Sequence, residues 1–265
     1  MSIRSARWRS GVPCWADVMV PDVESAGRFY SAVLGWTVPE PDDEKWGGYV
    51  VAHVDGAAAA GIGPGQQGAR AAWTMYFASD DADAHAATAR AAGGVVLSDP
   101  GDVGPLGRMA ILTDPSGAVF GLWQAGTMIG AELVNEPGGL VWEDLRSSDP
   151  ARAQEFYREL FDFRLDPMEM AGADYSTFAL AGESAPLGGM GGLMGLPEGT
   201  PSHWLVYFAV TDTDTAVAAA EASGGSVIAP AMDTEYGRTA GLADPAGAVF
   251  MVVGTTGEGT PDGSE

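Results

Sequence analysis

One stretch of this chain occurs twice. Asp22–Trp36 reads DVESAGRFYSAVLGW, and 127 residues later Asp149–Phe163 reads DPARAQEFYRELFDF. Each copy follows an apolar run carrying Trp and an acid, CWADVMV at Cys14–Val20 and VWEDLRS at Val141–Ser147. Later pieces repeat in the same order: WTMYFAS (Trp73–Ser79) matches WLVYFAV (Trp204–Val210), and TDPSGAVFGLW (Thr113–Trp123) matches ADPAGAVFMVV (Ala243–Val253). Ordered self-similarity of this kind marks a duplication. The chain of 265 residues is expected to hold two similar domains, 1–126 and 140–254. A linker at 127–139 joins them, and an acidic tail at 255–265 is expected to be disordered.

Each half divides again. Residues 13–64 read as strand, helix (Val23–Leu34), strand (Tyr49–Val54) and a Gly-ended strand (Ala57–Ile62). Residues 73–125 read as strand, helix (Ala82–Ala92) and three strands, Val95–Leu97, Met109–Thr113 and Ala118–Gln124. The Ala-rich helices stop at Gly93–Gly94 and Gly224–Gly225, where glycine takes the left-handed conformation of a helix end. DPSG and DPAG are turns before the last strands. The fold class expected is α+β, with four βαβββ units forming two tandem domains.

The acid before each first helix, FYSAVLGW and FYRELFDF on it, the Gly-Gly helix ends and DPxGxxF before the last strand together resemble the vicinal oxygen chelate superfamily. This is the glyoxalase/bleomycin-resistance/dioxygenase group, and the match to it is of the two-domain, actinobacterial glyoxalase-like kind. The resemblance covers residues 13–125 and 140–254 and implies curved mixed sheets enclosing cavities. In metal-dependent members, His, Gln or Glu side chains on those strands chelate a divalent cation. By motif spacing the chelating positions fall on Trp15, Gly61, Thr74 and Gly121, and on Trp142, Gly189, Leu205 and Met251. None is a metal ligand. The histidines, His53, His85 and His203, fall in different units or on a helix. No metal and no cofactor are therefore expected.

Strand side chains alternate between faces. Taking the former chelating positions as cavity-facing puts Trp15, Asp17, Met19, Tyr76, Val119, Gly121 and Trp123 toward the first cavity. It puts Trp142, Asp144, Arg146, Leu205, Tyr207, Val249 and Met251 toward the second. Cys14, Ala16, Val18 and Val20 would then pack under the helices, and Glu143 would reach solvent at a strand end. The ligand-binding set expected is Trp15, Asp17, Met19, Tyr76, Trp123, Trp142, Asp144, Arg146, Tyr207 and Met251. Indole and phenol rings suit stacking on a planar ligand, and the two Asp residues suit an ammonium group. Glycine at former chelating positions would let a ligand approach the backbone. The plainer reading is that the aromatic residues fill two cores and that Arg146 only neutralises Asp144.

With 13 Lys+Arg against 36 Asp+Glu the net charge is −23, which disfavours nucleic acid and anionic membrane surfaces. No apolar run is long enough for a membrane span or a signal peptide, and the single cysteine, Cys14, excludes a disulfide within one chain. A cytoplasmic location is expected, as a monomer or homodimer. The function expected is metal-free sequestration of a hydrophobic aromatic natural product or antibiotic, a cationic one included, in self-resistance or biosynthesis. The alternative is a metal-independent isomerase, cyclase or oxygenase accessory acting on an aromatic polyketide-like substrate, with Asp17 or Asp144 as base and Tyr76 or Tyr207 as partner.

Overall fold

The computed structural model describes residues 3–42, 46–66, 68, 70–170 and 173–254. The acidic tail falls outside them. The described helices share one starting device: Asp22, Asp81, Asp149 and Asp212 stand as N-caps, and each carboxylate accepts the backbone N–H three residues on. They are α1 (Val23–Leu34), α2 (Ala82–Ala91), α3 (Pro150–Phe161) and α4 (Thr213–Ala222). The duplicated DVES and DPAR segments are therefore helix starts, in the second case with Pro150 in the first turn.

Among the described residues, fifteen strands make two sheets. In the first, β1 (Pro13–Val20), β2 (Val50–Val54), β3 (Ala57–Pro64), β4 (Ala72–Ala78), β5 (Val95–Val103), β6 (Gly107–Thr113) and β7 (Val119–Ala125) lie in the order β2-β3-β1-β4-β7-β6-β5. The second holds β8 (Leu140–Ser147), β9 (Phe163–Met170), β10 (Ala173–Leu180), β11 (Gly188–Gly192), β12 (His203–Val210), β13 (Ser226–Thr234), β14 (Gly237–Ala243) and β15 (Val249–Gly254). Their order is β13-β14-β15-β12-β8-β11-β10-β9. In each sheet two units meet at a central antiparallel pair, β1 with β4 and β8 with β12. The expected α+β architecture of two curved mixed sheets is what the chain adopts. The first unit differs in one respect. Its second strand is reduced to an isolated bridge, Thr37 to His53, because Pro39 and Pro41 cannot donate to a ladder.

The helix-bearing faces of the two sheets pack against each other, so the two halves share one core. Helix α1 lies against α4 and α2 against α3. Trp73 meets Phe208 with ring centroids 5.1 Å apart, and Phe77 meets Phe161 at 4.8 Å. The second glycine of each Gly-Gly pair serves this junction. A Cβ on Gly225 would lie 2.6 Å from Phe29, and one on Gly94 would lie 2.9 Å from Phe156. The Tyr30 hydroxyl donates to Asp244 at 3.0 Å, tying the FY motif of one half to the DPAG turn of the other.

Candidate functional site

Outward from this core, the opposite face of each sheet carries the residues expected at the chelating positions. On the first sheet, Trp15, Asp17 and Tyr76 are nearly sealed, at 4%, 3% and 3% exposure. The Asp17 Oδ2 accepts from the Tyr76 hydroxyl at 3.0 Å and from the Tyr49 hydroxyl at 3.2 Å, while the Trp15 indole donates to the Tyr49 oxygen at 3.0 Å. Asp17 Oδ1 is buried without a partner among the described residues. Burial pushes this carboxyl up to about 7, against the lowering effect of the two tyrosine hydroxyls.

Two segments close this face. Trp8 donates to the Ala131 carbonyl, Trp123 to the Met128 carbonyl, and Ala131 N–H to Cys14. The linker, expected to be a plain connector, thus lies over the sheet beside Trp15, Tyr76 and Trp123. A cavity of about 80 Å³ remains next to Trp8 and Trp123, below the roughly 300 Å³ at which small-molecule sites begin. Met19 is half-buried against Gly63 and is not part of that cavity.

The second sheet carries the same cluster with an added cation. Asp144 Oδ1 accepts from the Tyr175 hydroxyl at 2.7 Å and the Trp142 indole at 3.0 Å. Its Oδ2 accepts from the Tyr207 hydroxyl at 2.8 Å and from Arg146 at 2.6 Å. Burial works against the charge on Arg146, but Asp144 and Tyr207 beside it hold its pKa above the usual value. Here, among the described residues, the face is open. Trp142, Arg146, Leu205, Tyr207, Met251 and Val253 are all half-buried, and Met194 and Met232 are exposed at its margin.

Four expectations need correction. The glycines do not open the sheets to a ligand. A Cβ on Gly61 would sit 1.8 Å from the Tyr49 oxygen, one on Gly189 1.7 Å from the Tyr175 oxygen, and one on Gly121 1.9 Å from the Tyr76 ring. They make room for tyrosines instead, and Tyr49 and Tyr175 are site residues that strand parity at the chelating positions did not reveal. Neither Asp presents a free oxygen to an ammonium group, since Asp17 is sealed and Asp144 already accepts four donors. Cys14 does not pack under the helices: a bulge between Pro13 and Trp15 shifts it into the cluster of Trp15 and Tyr76. Glu143 does not reach solvent; it is 6% exposed, and burial, with Asp144 adding, pushes its carboxyl up to about 8.

The comparisons with known proteins agree with this architecture. The family model described as Glyoxalase/Bleomycin resistance protein/Dioxygenase superfamily matches residues 14–122 and 128–252. The chain belongs to that superfamily. A Mycobacterium bovis protein named as a glyoxylase, CFP32, is 40% identical over 257 residues, covering 94% of this chain and 97% of that protein. The anthracycline biosynthesis protein DauV of Streptomyces sp. strain C5 is 38% identical over 262 residues, covering 93% of this chain and 94% of that protein. Among solved structures, the Mn(II)-bound glyoxalase of Novosphingobium aromaticivorans aligns with a TM-score of 0.66 at 15% identity, over 93% of this chain and 83% of that one. The 2,3-dioxygenase LapB of Pseudomonas sp. KL28 aligns at 0.65 and 19% identity, over 96% of both chains. At such identities these two structures speak for the fold alone.

The divalent metal of such folds does not fit the residues present. The expected chelating positions hold Trp, Gly, Thr, Leu and Met, and the Asp144 carboxylate is saturated by three neutral donors and a guanidinium. Among the described residues no three His, Cys, Asp or Glu are grouped to hold a metal ion. No helix among them is long and apolar enough to cross a membrane.

Proposed function

We propose that this protein binds a hydrophobic aromatic natural product, without metal, on the open face of its second sheet, and serves in antibiotic biosynthesis or self-resistance. The observation that carries the reading is the difference between two related faces. One aromatic–carboxylate cluster is packed shut by the chain itself, while its duplicate presents Trp142, Tyr207, Leu205 and Met251 half-exposed around a rigid Asp144–Arg146 centre. A Trp and a Tyr with polar ends held in place give a broad, low-entropy platform for a planar ring system. Methionines at the margin adapt to an irregular outline. The name of DauV, an anthracycline biosynthesis protein, supports the same ligand class.

The test is a tryptophan-fluorescence titration with a panel of anthracycline-type and other aromatic polyketides, with mass analysis of the recovered ligand, run on the native chain and on Trp142→Phe. Saturable quenching that shrinks in Trp142→Phe, with ligand returned unchanged, is expected. Ligand returned with an altered mass, or as an isomer, would transfer the protein to the enzymes. Absence of binding by every compound would refute the reading.

A further inference from the structure

By strand alternation alone, the acidic pair suits a ligand with an ammonium group. The geometry points to the opposite: we propose that the open face selects a planar aromatic ligand carrying an ionised acidic oxygen, a carboxylate or an acidic phenol, which Arg146 receives. The inference rests on the reading that this face is a ligand site, and it names the chemistry of the ligand.

Three observations carry it. First, Asp144 has no capacity left for a cation. Each of its oxygens already accepts two hydrogen bonds, and its charge is matched by Arg146. An ammonium group brought here would meet the guanidinium first. Second, Arg146 is only partly used. Of its five N–H donors, those on one terminal nitrogen go to Asp144 and to the Tyr207 oxygen, and the other terminal nitrogen touches the Met194 sulfur, a weak acceptor. Its Nε donates to no acceptor among the described residues. The side chain retains 12% exposure on the open face, and the ion pair with Asp144 fixes its orientation. A pre-oriented guanidinium with spare donors is suited to a carboxylate or phenolate.

Third, the surroundings add no competing cation. His203 pairs directly with Arg146 in the β8–β12 register, so the two side chains stand on one face. Its Nδ1 donates to the Pro201 carbonyl at 2.8 Å, so the neutral ring offers only an accepting Nε2. In a chain of net charge −23, with 13 Lys+Arg in all, a guanidinium with spare donors on a half-buried aromatic face forms a local site for a negative oxygen. The sealed duplicate on the first sheet is the internal comparison. There Met19 stands where Arg146 stands, two residues beyond the conserved-in-place acid, and the face is closed.

The experiment measures three probes by fluorescence and calorimetry on the full chain: anthraquinone-2-carboxylate, its neutral carboxamide, and 2-(aminomethyl)anthraquinone as the cation. A fourth, 2-hydroxyanthraquinone, distinguishes a phenolic from a carboxylic source. At least about a tenfold preference for an acid over the carboxamide is expected, with the cation weakest. In Arg146→Gln the acid-to-carboxamide ratio should fall below about threefold, and Arg146→Lys should restore part of it. His203→Gln, a change at a strand end, should leave the ratio within about twofold. Binding of all probes without preference, a preference for the cation, or a preference that persists in Arg146→Gln would overturn the acid-oxygen inference and leave the binding face standing. No binding by any probe would overturn both. Should Arg146→Gln fail to fold, the ranking of the probes on the native chain and in His203→Gln still decides the sign.

Discussion

Gly189 is the position at which the site can be tested without any ligand. A methyl group there would lie 1.7 Å from the Tyr175 oxygen, 2.2 Å from its Cζ and 2.5 Å from Asp144 Oδ1. Tyr175 is 8% exposed and is held by the Asp144 carboxylate, so in Gly189→Ala the ring must leave its place. Overpacking of a buried site costs about 1–3 kcal/mol. Loss of a hydrogen bond to a charged group adds about 1.5–3 kcal/mol. Together they come to roughly 3–6 kcal/mol, which for a chain of this size lowers Tm by roughly 10 °C. Thermal unfolding followed by circular dichroism measures it. Gly192→Ala, three residues on in the same strand, is the control, because a Cβ there meets nothing within 4 Å. Tyr175→Ala removes the colliding ring, so the double variant should cost clearly less than the two single changes added. A Gly189→Ala protein that melts with Gly192→Ala, or a strictly additive double variant, would refute the account of glycine as the complement of tyrosine.

The junction between the halves should respond to Tyr30→Phe, which keeps the ring and removes the hydroxyl from Asp244: a loss of about 1.5–3 kcal/mol in urea denaturation is expected, and no loss would deny the tie a stabilising role. Asp17 has a folded pKa of about 7, raised from 3.8 by burial, so its proton is bound more tightly in the folded state. Its contribution is fully present below about pH 4 and is lost as pH rises through about 7, on the order of 4 kcal/mol in all. Asp17→Asn should accordingly flatten the fall in stability between pH 4 and 7, and an unchanged pH profile would contradict a buried, proton-holding Asp17. Millimolar Mn(II) or EDTA should leave Tm within about 1 °C, since a bound ion stabilises the state that binds it; a metal-dependent rise would show that the chain does assemble a metal site.

Much of the fold is written in local chemistry. The Asp N-caps, the left-handed glycines at the helix ends and the DPxG turns each act within a few residues, so α1 could be placed at Val23–Leu34 from its sequence alone. Alternation along β1 and β8 likewise put Trp15, Asp17, Trp142, Asp144 and Arg146 on one side. The same logic failed at Cys14, because a bulge changes parity without changing composition. It also failed for Tyr49, which precedes β2, and for Tyr175 on β10: both reach their carboxylates from outside the central strand pairs, a relation set by sheet register.

The sequence by itself determined the duplication and the class of the fold, since both follow from residue types at fixed spacing. Which of the two related faces is open was decided only in the tertiary structure. Both strands β1 and β8 carry Trp, then an acid two residues later, and differ in Met19 against Arg146, which by itself closes neither face. What separates them is that the N-terminal segment and the linker fold over the first sheet, where Trp8 and Trp123 find backbone carbonyls at Ala131 and Met128. The Trp8 contact joins residues 123 positions apart, and the free energy of burying such surfaces depends on shape and register that the order of residues specifies only through the finished fold.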